Sequence, residues 1–98
     1  MAAISPLTLR FSARARLQLI AIHDYISERS PKAATRVGER IREAADMLRY
    51  FPYAGRAGRS TGTREWVVSG LPYIIVYEVD PSPEEVMVLG VFHGAQRR

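Results

Sequence analysis

The chain has no cysteine among its 98 residues, which removes disulfide staples, thiolate zinc sites and thiol nucleophiles together. Histidine is nearly absent as well. His23 and His93 are the whole complement, too few for a dedicated metal centre. No apolar run approaches the ~18 residues of a membrane-spanning helix, and the start MAAISPLTLRF lacks a signal-peptide core. Lysine is reduced to Lys32, so 13 of the 14 basic residues are arginine. These absences predict a small, soluble, cytoplasmic domain over residues 1–98 that uses no metal and no cofactor.

What is present is ordinary globular composition, 47% hydrophobic and 24% charged, far from the disordered class. A chain of this length buries only about 60–65% of the surface its unfolded form exposes, enough for one modest core. The formal net charge is +4, and arginine's planar fork grips carboxylates and phosphates in pairs. A genome rich in arginine codons produces the same bias without any function. The distribution is more informative than the total. Residues 52–65 carry three arginines and one acid, whereas residues 66–98 carry a net −2. An acidic partner or a nucleic acid is expected to meet that loop or the helices.

Leu7-Thr-Leu-Arg-Phe11 alternates apolar and polar residues, as a short strand does. Ser12 then offers an N-cap hydroxyl, and Ala15, Leu19, Ile22 and Ile26 recur at helical spacing over 12–29. Leu17, Ile20 and Tyr25 widen the apolar surface beyond what one neighbour needs. Either a partner covers them, or a small core packs this helix from two sides. Ser30 and Pro31 stop one helix and start the next, whose apolar stripe runs Ala34, Val37, Ile41, Ala45, Leu48 and Phe51. So short a connection predicts an antiparallel helical hairpin. Pro52 ends it, and a Gly-rich basic loop follows to Gly62. Three strands are expected next, at 64–69, 73–79 and 85–93, joined by turns at Gly70-Leu71-Pro72 and Asp80-Pro-Ser-Pro83 as an antiparallel meander. The fold class is α+β, with the hairpin on one face of a sheet of about four strands.

A ribonuclease that uses 2′-hydroxyl attack needs an acid, a base and cations on the phosphate. Glu65 and His93 are the titratable candidates. Arg56, Arg59 and Arg64 are the cations, and Tyr73 and Tyr77 are possible base-stacking rings. Arg64 and Glu65 are adjacent on a strand, so they point to opposite faces. The loop Gly55-Arg56-Ala57-Gly58-Arg59 lacks the GK[ST] of a phosphate-binding loop and leads into a strand, which excludes nucleotide binding. Trp66 reads as a core or interface anchor.

The spaced series Ala15-x-x-x-Leu19-x-x-Ile22-His-Asp-Tyr25-Ile26, Pro31-x-Ala33-Ala34 and Leu48-x-x-x-Pro52-x-x-Gly55-Arg56 resembles the RelE/ParE superfamily of bacterial toxins. So do Gly62-Thr-Arg64-Glu65-x-Val67-Val68-x-Gly70-x-Pro72-Tyr73-Ile74-Ile75-Val76-Tyr77 and the ending Val91-Phe-His93-Gly-Ala-Gln-Arg-Arg98. The likeness covers nearly the whole chain and is nearest to the ParE branch. It implies a helical hairpin on a curved antiparallel sheet, and a toxin of a type II, plasmid-stabilisation-type toxin–antitoxin pair. Such a toxin arrests growth unless a ParD-like antitoxin wraps it. ParE-type members poison DNA gyrase, and RelE-type relatives cut mRNA in the ribosomal A site. The run 73–79 holds no base where the ribonucleases tend to place an arginine, which favours gyrase as target and no catalysis. The expected target surface is Arg56, Arg59, Arg64, His93, Arg97 and Arg98. The expected antitoxin surface is Leu17, Ile20, Tyr25 and Trp66. If the chain is instead a nuclease, Glu65, Arg64 and His93 carry the reaction.

Overall fold

A computed structural model of the protein describes residues 5–95. Strand β1 (Thr8–Phe11) leads into helices α1 (Ala13–Ser27) and α2 (Pro31–Met47). Strands β2 (Arg56–Ala57), β3 (Arg64–Val67), β4 (Tyr73–Asp80) and β5 (Glu85–His93) follow. The five strands form one sheet in the order β1-β5-β4-β3-β2. The α+β class, the hairpin and the antiparallel β3-β4-β5 meander agree with the sequence.

Two features of the sheet differ from the sequence reading. The sheet is mixed, because β1 lies parallel to β5, with Leu9 opposite Val86 and Phe11 opposite Val88. The long connection that a parallel pair requires is the whole intervening chain, two helices and three strands. The sheet also has a fifth strand, because Arg56 and Ala57 in the Gly-rich loop pair with Glu65 and Arg64. The backbone N–H of Gly58 donating to Thr63 O (2.8 Å) closes that hairpin, a pairing that two residues of strand cannot signal by alternation.

Both helices start where the sequence placed their caps. Ser12 Oγ accepts from Ala15 N (3.0 Å) and Ser30 Oγ accepts from Ala33 N (3.1 Å). The Ser12 hydroxyl also donates to Leu89 O (3.1 Å), so one side chain caps α1 and ties it to β5. Leu89 is the extra residue of a bulge: Val76 faces Gly90 and Tyr77 faces Val88. β1 ends opposite Val88, and beyond it α1 takes over the edge of β5. Gln18 Oε1 accepts the Val91 N–H there (2.9 Å).

The core lies between the hairpin and one sheet face. Ala15, Ile41, Ala45 and Leu48 meet Ile75, Tyr77, Val86, Val88 and Val91 there, all buried, and Val68 closes one side. Ala15 lets α1 approach the strands closely. At the β3–β4 turn Gly70 takes φ +77°, a conformation that side chains with a Cβ rarely adopt.

Candidate functional surfaces

Tyr77 is the anchor of the basic loop. It is fully buried in β4, and a buried phenol needs partners for its hydroxyl. The Tyr77 O–H donates to Pro52 O (2.8 Å) and accepts from Gly55 N (2.9 Å). Gly55 comes so near that a Cβ on it would sit 2.6 Å from that oxygen. Burial pushes the Tyr77 phenol up from its ordinary value, and the Gly55 hydrogen bond and the Arg64 charge act in the opposite direction. Tyr77 therefore cannot stack a base, as the sequence had allowed. It holds the loop instead.

Arg64 clamps the same loop from outside. Its Nη1 donates to Gly55 O (2.9 Å) and Tyr53 O (3.3 Å), and its guanidinium lies over the Tyr53 ring at 4.9 Å. Arg56 reaches the buried Glu65, Nη2 to Oε1 at 3.3 Å. Arg59 is exposed nearby in the chain. The structure thus gathers Arg56, Arg64 and Glu65 into one region and gives Arg64 and Glu65 clear positioning roles.

His93 lies elsewhere. It pairs with Tyr73 in the ladder, while Arg64 pairs with Tyr77. Four residues along the strand and two strands across put about 16 Å between their backbones. The His93 ring meets Tyr73 edge-on, centroids 5.6 Å apart. Glu65, Arg64 and His93 are therefore not assembled into one acid–base–cation set. Arg97 and Arg98, the expected basic tail, lie outside the described residues.

The sheet face turned away from the helices is poor in cations. By alternation it carries Glu65, Val67, Ile74, Val76, Glu78, Met87 and Phe92. Arg56 and Arg10 stand at its two edges, each within reach of an acid, Arg56 at Glu65 and Arg10 at Glu85 (3.8 Å), and the Arg14 guanidinium of α1 lies over Phe92. Among the described residues no group of three or more His, Asp or Glu is arranged to hold a metal ion.

The third surface is α1. Leu17 is 67% exposed, Ile20 56% and Tyr25 73%, so the chain leaves much of this apolar surface of α1 uncovered, with Ile20 towards α2 and Tyr25 towards the end of β5. A groove of about 300 Å³ runs on the α2 side, where Ile20, Ala34 and Gly38 meet. A second cleft, about 580 Å³, lies between α1 and the end of β5. Trp66 differs from the other three: it is half-buried and packs against the core. Sequence reasoning missed Gln18 and the loop-holding role of Tyr77. The one signal for Tyr77 was a hydroxyl inside an apolar strand.

A two-helix hairpin on a mixed five-stranded sheet, with a clamped basic loop and exposed apolar residues on α1, defines a small α+β domain. Residues 9–98 match the family model described as the ParE toxin of the type II toxin–antitoxin system parDE, and the chain belongs to this ParE toxin family of the RelE/ParE superfamily. It is 40% identical over 89 residues to the candidate toxin Y4kP of Sinorhizobium fredii, covering 91% of this chain and 90% of that protein. It is 47% identical over 66 residues to toxin RelE2 of Caulobacter vibrioides, covering 67% and 73%. Two solved structures share the fold. One is from the chromosomal ParDE toxin–antitoxin system of P. aeruginosa, with TM-score 0.78, 23% identity and coverage of 89% and 95%. The other is from the RelBE2 toxin–antitoxin complex of Mycobacterium tuberculosis, with TM-score 0.65, 24% identity and coverage of 95% and 97%. Among the described residues no helix is long and apolar enough to cross a membrane.

Proposed function

We propose that this type II toxin arrests growth by poisoning DNA gyrase, without cutting RNA, and that a co-encoded ParD-like antitoxin neutralises it. The observation that carries this reading is the separation of charge in the fold. A ribonuclease face must hold a polyanion and stabilise charge developing on phosphate. Here the open sheet face is largely apolar and acidic: of the arginines that reach it, Arg10 and Arg56 stand within reach of an acid and Arg14 lies over the Phe92 ring. Three arginines, Arg56, Arg59 and Arg64, lie in the 52–65 segment that Tyr77 and Arg64 brace, a surface suited to binding.

In this reading Arg56, Arg59 and Arg64 contact the gyrase–DNA complex from the loop, and His93 with Arg97 and Arg98 contact it from the chain's end. The ridge of Leu17, Ile20 and Tyr25, with the open edge of Trp66, takes the antitoxin. Structural neighbours described as toxin–antitoxin systems are consistent with such a partner. The test is induction of the chain in cells with and without its neighbouring gene. Double-strand breaks that need active gyrase, and that co-expression of the neighbour suppresses, are the expected outcome. Growth arrest with intact chromosomes and mRNAs cut at A-site codons would replace gyrase with the ribosome as target.

A further inference from the structure

The cleft between α1 and the end of β5 contains the hydroxyl of a core residue, Tyr73, that neither the core packing nor the basic loop uses. Tyr73 is only 8% exposed, yet among the described residues its hydroxyl has no hydrogen-bond partner. Its ring is engaged edge-on with His93, and the residue lines the cleft. The open cleft leaves that hydroxyl to water or to a group that enters and accepts from it.

The other polar groups of the cleft are of one kind. Tyr25 brings a second phenol, near enough that its charge would act on Tyr73. His93 Nδ1 accepts from Ala95 N (3.1 Å), so the neutral ring carries its proton on Nε2 and donates from there. Gln18 spends its Oε1 on Val91 N, leaving its amide NH₂ to donate. No aspartate, glutamate, lysine or arginine lines the space. Just outside it the Arg14 guanidinium stands over the Phe92 ring at 5.1 Å. The cleft is therefore a cluster of neutral donors with aromatic and aliphatic walls, next to one cation.

We propose that this cleft is a carboxylate pocket that receives the side chain of an acidic residue from a polypeptide lying along α1, with Tyr73 and His93 donating to its oxygens. A hydroxyl donating to a carboxylate makes a short, charge-assisted bond. A phosphate would call for an arginine or lysine in the lining, which is absent. The cleft is continuous with the apolar ridge at Tyr25, so an acidic residue flanked by apolar ones fits both surfaces. The inference rests on the reading that a protein partner covers α1, and it goes further in assigning the pocket a chemical specificity.

Two measurements test it. Tyr73→Phe is expected to leave the melting temperature unchanged or raise it, since no bond within the chain is lost. A fall of several degrees would mean the hydroxyl is already partnered, and would overturn the proposal. The second measurement is an NMR titration of the full chain with the capped peptide acetyl-Leu-Glu-Leu-amide, its Gln counterpart and inorganic phosphate. The Glu peptide is expected to shift the His93 and Ala95 signals. It should bind about tenfold more tightly than the Gln peptide, a difference of about 1.4 kcal/mol, and Tyr73→Phe should abolish that difference. Equal binding of the two peptides, no response at the cleft, or tighter binding of phosphate would each refute the pocket. Leu17→Arg separates the two readings. If it leaves the peptides' affinity unchanged while the Glu–Gln difference persists, the ridge reading fails and the pocket stands.

Discussion

Tyr77→Phe removes one oxygen from the centre of the molecule and leaves the ring in place. Tyr77 is fully buried, and its hydroxyl serves Pro52 O and Gly55 N, whose residues are buried as well. Phenylalanine fills the same space, so the packing term is small. The cost is two orphaned backbone groups. At about 1–3 kcal/mol for each buried unsatisfied group, and with some relaxation of the loop, the expected loss is about 2–4 kcal/mol. For a domain of this size each kcal/mol moves the melting temperature by roughly 4–8 °C, so a fall of roughly 8–30 °C is expected by circular dichroism. The same substitution at Tyr73, in the same strand, should cost nothing, because there the hydroxyl has no partner among the described residues to lose. Equal effects at the two positions, or a change of less than about 1 kcal/mol at Tyr77, would refute the assignment of Tyr77 as the loop's anchor. At the functional level, the loosened loop should weaken growth arrest at permissive temperature while antitoxin capture, proposed to use α1, persists.

Ser12→Ala removes both the α1 cap and the link to Leu89 O, and should cost about 1–2 kcal/mol in chemical denaturation. Gly90→Ala would place a methyl 2.6 Å from a Phe92 ring carbon and 2.9 Å from Gln18 Oε1. A loss of about 1–3 kcal/mol is expected from that overpacking, with the Val91 amide exchanging faster as Gln18 is displaced. The Tyr73 and Tyr77 phenols are both raised above their ordinary 10.0, chiefly by burial. The folded chain therefore keeps these protons after the unfolded chain has lost them. Their contribution is fully present below pH 10 and is lost as pH rises beyond it. An alkaline denaturation series should show this fall, and Tyr73→Phe should make it shallower.

The elements most legible in the sequence were those whose periodicity and end signals agreed. Ser12 and Ser30 capped helices where the hydroxyl-before-periodicity pattern placed them, and Gly70 turned the meander. The parallel placement of β1 was not legible, because strand direction depends on where the hairpin returns the chain. β2 was missed because two residues held by backbone bonds leave no side-chain pattern. The site followed the same division. Leu17, Ile20 and Tyr25 stood out as apolar residues on the wrong side of an amphipathic helix, and they are exposed. Tyr77, grouped with possible base-stacking rings, is buried, since the alternation that sets its direction is shared by the core residues Ile75 and Val88. Arg64 was legible as a cation. Its use in holding two carbonyls depended on a tertiary approach of residues 53–55 that no local pattern encodes.

The central proposal is that this toxin binds and stalls an enzyme–DNA complex and does no chemistry on RNA. The most direct measurement adds purified chain to gyrase and supercoiled plasmid, traps covalent complexes with detergent, and runs translating ribosomes in parallel with mRNA ends mapped. The account predicts linear DNA that accumulates with dose, diminishes in Arg56→Ala/Arg59→Ala, and leaves mRNA uncut. Unaffected gyrase together with A-site cuts that vanish in His93→Ala would contradict it.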